Sequence, residues 1–75
     1  MMETTMMNAT MCATVCRVWN SGMLVCDHGS NQLVVVHTDH ACWFCPGNHV
    51  CIHFNGVMAQ SMPPQITATC ICRCC

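Results

Sequence analysis

The sequence predicts an all-β protein, a small five-stranded antiparallel barrel behind a flexible N-terminal leader. Three observations carry that expectation. Segments rich in β-branched and aromatic residues recur at short, regular intervals, each bounded by Gly, Asn, Asp, Ser or Pro, as strands joined by tight turns are. Almost no room is left between them for helices. The whole chain has 75 residues, enough for one small domain.

Residues 1–10 are rich in Met and Thr, show neither alternation nor helical period, and read as the leader, with the barrel domain spanning 11–75. The first strand is expected near 12–19, where Cys-Ala-Thr-Val-Cys-Arg-Val-Trp is rich in β-formers. Asn20-Ser21-Gly22 then turns the chain into a second strand near 22–27. Asp27-His28-Gly29-Ser30-Asn31 is a second turn cluster, and the β-branched run Val34-Val35-Val36 marks a third strand near 32–38. Asp39 is placed to cap a short helical turn through Ala41 and Phe44 that Pro46-Gly47-Asn48 stops. The fourth strand, 49–54, alternates strictly, so Val50, Ile52 and Phe54 face the core while His49, Cys51 and His53 face outward. Asn55-Gly56 is a tight-turn signal, Pro63-Pro64 interrupts the chain, and 65–73 forms the last strand. The predicted core is Val15, Leu24, Leu33, Val35, Phe44, Val50, Ile52, Phe54, Ile66 and Ala68, with Trp19 as a further plug and Trp43 exposed.

Composition then excludes several functions. The chain carries 10 Cys, 8 Met and 5 His but only 2 Arg, no Lys and 3 acidic residues. Two cations cannot neutralise a nucleic-acid backbone non-specifically, nor form a polybasic membrane patch. No apolar run approaches the roughly 20 residues of a spanning helix. The N-terminus lacks the basic and apolar regions of a signal peptide, so the expected location is the cytoplasm, with mostly reduced thiols. Strand edges with so few charges favour self-association.

The stretch Phe44-x-Pro46-Gly47-Asn48-x-Val50-x-Ile52-x-Phe54-Asn55-Gly56-x-Met58-x-x-Ser61-x-Pro63-Pro64-Gln65-Ile66-x-Ala68 resembles a pattern of small bacterial domains. In these a Gly-Asp-x-Val turn opens a strand, an aromatic-Asx-Gly turn closes it, and Ser-x-Pro-x-Gln-Ile leads into the final strand. The resemblance, to the YobA-like domains of unknown function, covers about residues 33–70. It implies a barrel of the oligonucleotide/oligosaccharide-binding (OB) type and carries no activity with it. This chain departs from the pattern at Asn48, where an acidic residue is expected, and at His49, Cys51 and His53, where charge is usual.

Two residue sets suggest metal chemistry. Cys42-x-x-Cys45 and Cys72-x-x-Cys75 have the spacing that aims two thiolates at one tetrahedral zinc, which would also stabilise so small a core. Against this, 26 residues separate the pairs, more than the about 15–20 usual in such sites. His49, Cys51 and His53, projecting together from one strand, suit zinc, nickel or copper. The competing reading of that strip is a solvent-facing surface. Thioethers of Met1, Met2, Met6, Met7 and Met11 suit Cu(I), but their irregular spacing fits a leader.

A nucleophilic cysteine with a His and an Asp is the enzyme reading, which Cys42-Trp43-Phe44-Cys45-Pro46 supports only superficially, because dithiol motifs of that kind open a helix beside a sheet. A different explanation of the composition is that Cys16, Cys26, His49, Cys51 and His53 stand where Arg codons were altered by single transitions, with no ligand role. The expectation is therefore a non-enzymatic binding or interaction module, its partner a protein or small ligand and its cofactor none, with a zinc-stabilised or metal-handling domain as the alternative. Among the thiols, Cys74 and Cys75 are expected to react first, ahead of Cys12 and Cys16, because a frayed end exposes them.

Overall fold

The computed structural model describes residues 9–74. Five strands, β1 (Ala9–Trp19), β2 (Gly22–Asp27), β3 (Leu33–His37), β4 (His49–Phe54) and β5 (Gln65–Cys74), close into a barrel in the order β1-β2-β3-β5-β4. The one helical element is a 3₁₀ turn at Ala41–Trp43. No helix among the described residues is long and apolar enough to cross a membrane. Of the expected leader, residues 1–8 lie outside the described residues, while Ala9 and Thr10 belong to β1 and pair with Phe54 and His53.

β1 is long because it serves two neighbours. Its first half pairs with β4 and its second half with β2. Between the two, the register shifts after Val15, so that Cys16 is an extra residue bulged out of the ladder. A second shift in the β4–β5 ladder leaves Thr69 as the extra residue, its hydroxyl donating to the His53 carbonyl at 3.0 Å.

The expected all-antiparallel arrangement is corrected at one seam: β3 and β5 run parallel, with Val35, Val36 and His37 beside Gln65, Ile66 and Thr67. Geometry requires such a seam. Strands in a closed ring can alternate in direction all the way round only if their number is even, so a ring of five must contain a parallel pair. The seam is tied by the Val35 amide donating to the Pro64 carbonyl at 2.9 Å and by a 2.7 Å contact between His37 Nε2 and Gln65 Oε1.

The core consists of Met11, Ala13, Val15, Met23, Val25, Val34, Val36, Phe44, Val50, Ile52, Phe54 and Ile66, with Ala68 and Ile71 partly buried against it. No polar or charged residue among the described ones is buried. The predicted Leu24, Leu33 and Val35 are corrected by one residue. Val25 stands opposite the inward Val15, which places Met23 and Val25 inside on β2 and, opposite them, Val36 and Val34 inside on β3. A slip of one residue moves a whole strand face from core to solvent, and Leu33 is accordingly 46% exposed. The Cys16 bulge has the same effect on β1, turning Val18 inward and leaving the expected plug Trp19 40% exposed.

Turn chemistry fixes the connections. Asp27 organises the β2–β3 turn through its carboxylate, which accepts from the Gly29 amide and the Ser30 hydroxyl, both at 3.0 Å, while Asn31 takes a left-handed φ of 57°. At Cys45-Pro46-Gly47-Asn48 a turn forms with Gly47 at φ 95°, as a turn with Pro second and Gly third requires. The Asn48 side chain accepts from the Cys45 amide at 2.9 Å. Asp39 does not cap the 3₁₀ turn: the first position is His40, without a side-chain cap, and Thr38 Oγ1 accepts the His40 amide instead.

Candidate functional site

The outward residues of β1, β4 and β5 fall into register and form a grid. One row is Thr10, His53 and Cys70, the next Cys12, Cys51 and Cys72, the third Thr14, His49 and Cys74. Strand alternation and the ladder register place them. Beyond β1, Cys26 of β2 stands opposite Thr14, and His28 sits beside Cys12, donating its amide to the Cys12 carbonyl at 2.9 Å. Nine of these eleven positions are Cys or His, the other two are Thr, and none is Asp, Glu, Lys or Arg.

Thiols dominate the middle of the grid. Cys51 Sγ lies 3.5 Å from Cys12 Sγ on β1 and 2.6 Å from Cys74 Sγ on β5. The Val15 amide donates to the Asn48 carbonyl, which by alternation makes Cys12 and Cys51 a non-hydrogen-bonded pair, the closer of the two pair types in an antiparallel ladder. The Cys74 thiol beside it raises Cys51 above the ordinary thiol value, against an opposing contribution from Cys12. The Cys51 thiol raises Cys12, and Cys72 does the same to Cys70. Such thiols are less ionised at neutral pH than an isolated cysteine, which makes them weaker nucleophiles.

Imidazoles frame the row. Thr14 Oγ1 meets His28 Nε2 at 2.6 Å, Thr10 Oγ1 meets His53 Nδ1 at 3.1 Å, and the His28 and His49 rings lie 5.4 Å apart and tilted. Cys12, His28, His49, Val50 and Cys74 line a shallow groove of about 410 Å³ above the thiols.

The expected strip His49, Cys51 and His53 does share one face, but its members turn to different partners: His49 to His28, Cys51 to two thiols, His53 to Thr10. Cys42 and Cys45 are exposed around the 3₁₀ turn, Cys72 is exposed on β5 in register with Cys51, and Cys75 lies outside the described residues. Among the described residues no group of three or more His, Cys, Asp or Glu side chains is already arranged to hold a metal ion. Trp43 is 66% exposed, as expected, and stacks on His40 at 4.3 Å.

The expected fraying does not extend to Cys74, and Cys75 lies outside the described residues. β5 stays paired with β4 through Cys74, whose half-buried thiol is engaged with Cys51, whereas Cys12 and Cys16 are exposed. Sequence reasoning missed Cys12, Cys74, Thr14 and His28 as partners of Cys51 and His49. The alternation of Cys70, Cys72 and Cys74 was visible, but which strands flank β4 was not. Compared with known protein families, curated proteins and solved structures, the chain has no match.

Proposed function

We propose that this chain is a small cytoplasmic binding module without catalytic activity, and that the outward face of β1, β4 and β5 is its binding surface. The carrying observation is the separation of roles within each strand. The interior is apolar throughout, with no buried polar or charged residue among the described ones, while thiols and imidazoles concentrate on one outer face. Polar groups converging in an enclosed pocket are the usual start of an active site, and here they spread over an open sheet. The elevated Cys12, Cys51 and Cys70 thiols also disfavour nucleophilic catalysis.

The strand order, the pairing of β1 with β4 and the parallel β3–β5 seam support the OB type of barrel. Barrels of that type bind on the face of the second and third strands, so the surface on β1, β4 and β5 rests on its own thiols and imidazoles rather than on the fold.

Native mass spectrometry of the folded, reduced chain tests the module reading. A metal-free mass for protein that retains its β-sheet circular dichroism is the expected result. Stoichiometric zinc whose removal by a chelator unfolds the protein would replace the module with the metal-stabilised alternative, in which Cys42, Cys45, Cys72 and Cys75 are the first ligands to substitute.

A further inference from the structure

We propose that Cys12, Cys51 and Cys74 bind a monovalent thiophilic cation of the Cu(I) class, with Cys51 as the common ligand. The proposal rests on the reading of this face as the binding surface and names what it binds.

The first support is the position of Cys51. It has a thiol neighbour on each flanking strand, at 3.5 Å toward β1 and 2.6 Å toward β5, so either neighbour can share a ligand with it. Such contact requires protons between the sulfurs, because adjacent thiolates repel; a cation in the same place removes the repulsion.

The second support is the donor type. Thiolates select soft ions such as Cu(I), whereas Ca²⁺ and Mg²⁺ need oxygen ligands. Oxygen is committed elsewhere: Asp27 holds Gly29 and Ser30 with its two carboxylate oxygens, and the Thr14 hydroxyl is engaged with His28. Zinc takes four nitrogen or sulfur donors in a tetrahedron, and no three donors among the described residues already meet at one point. A monovalent d¹⁰ ion is satisfied by two sulfurs, which Cys51 and one neighbour supply, and the third thiol can close in.

The third support is access and rigidity. Cys12 and Cys74 line the open groove, so a change of side-chain rotamer parts the sulfurs and admits the ion without moving the backbone. The three cysteines stand on paired strands of a closed barrel rather than on loops. On binding, two thiols each release a proton to solvent, the ion takes the two thiolate electron pairs, and no electron is transferred.

The test is an anaerobic titration of the reduced chain with Cu(I) held by bicinchoninate, read by loss of the chelator complex's colour and by native mass spectrometry. One Cu(I) per chain is expected. Cys51→Ser should lower the apparent affinity at least tenfold, and the double variant Cys12→Ser/Cys74→Ser, which removes both thiols that Cys51 touches, should do the same; circular dichroism checks that each is folded. Cys42→Ser/Cys45→Ser should bind as the unaltered protein does. Binding by Cys51→Ser or by the flanking double variant as tight as that of the unaltered protein, as the methionine-rich N-terminus would give, overturns the proposal, and so does a preference for Zn(II) over Cu(I) at equal competition. A folded, metal-free protein that leaves Cu(I) on the chelator sinks this proposal and spares the module, whereas unfolding on chelation sinks the module reading itself.

Discussion

The two faces of β4 use six consecutive residues for opposite purposes. Val50, Ile52 and Phe54 are buried and hold the barrel, while Cys51 and His53 touch thiol and hydroxyl partners on the strands beside them and His49 meets the His28 ring of the β2–β3 turn. Inward positions answer to volume and outward ones to chemistry. A residue on the outer face is expected to be exchangeable without loss of the fold, which would make the chemistry of this surface separable from the stability of the barrel that carries it.

The largest expected effect tests that separation directly. Ile52 is fully buried, so Ile52→Ala should destabilise the barrel by about 2–5 kcal/mol, read as a shift in the urea midpoint. Its neighbour substitution Cys51→Ser should stay within about 0.5 kcal/mol of the unaltered protein. A comparable loss from both would break the comparison, because the outer face would then be holding the fold.

Next in size is Gly22→Ala. A Cβ at Gly22 would sit 2.5 Å from the Val36 carbonyl oxygen and 3.2 Å from Trp19 Nε1. The first contact is with backbone, which cannot swing away, so β2 and β3 must part; about 1–3 kcal/mol is expected for such overpacking, measured by thermal unfolding. A neutral result would mean that the hairpin yields more than the inner face of β4.

The smallest effects concern the thiols. At neutral pH, Cys42 and Cys45, exposed around the 3₁₀ turn, should be alkylated before Cys51 in peptide-mapped mass spectrometry. Because Cys12, Cys51 and Cys70 are raised, their alkylation should accelerate at higher pH than that of an ordinary thiol. Linkage gives the accompanying stability change its sign. A thiol that holds its proton more tightly when folded contributes stability fully present below its unfolded pKa and lost as pH rises through its folded pKa. Melting temperature should therefore decline on the alkaline side of the usual thiol range, and less steeply in Cys51→Ser. An order in which Cys51 reacts first would show that the thiol row is not in contact in solution.

What could be read in the sequence followed from how local each signal was. Residues 49–54 alternate strictly and end at Asn55-Gly56, so β4, its two faces and its boundaries were legible. Met23-Leu24-Val25 and Leu33 to Val36 are continuously apolar, which identifies strands but leaves their phase to the partners across the ladder. The Cys16 bulge has no turn residue to announce it, and it alone reverses Val18 and Trp19. For the site, His49, Cys51 and His53 were visible as one face. Their partners come from β1, β5 and the β2–β3 turn, and no short-range pattern says which of these will be neighbours.

The β1–β4 pairing and the parallel β3–β5 seam also govern how the protein assembles. The β1–β2 and β2–β3 hairpins can form locally, but β1 must wait for β4 and β3 for β5, so a large share of the ladder joins positions distant in the chain. Folds dominated by such pairings pay loop-closure entropy before gaining contacts, and fold in milliseconds to seconds rather than microseconds. Until β5 arrives, β3 and β4 are both open edges, the state most exposed to strand addition from another molecule. A nascent chain is in that state throughout translation of β4 and the Asn55–Pro64 connection. The ten residues of β5 therefore act as a bolt that removes both open edges at once.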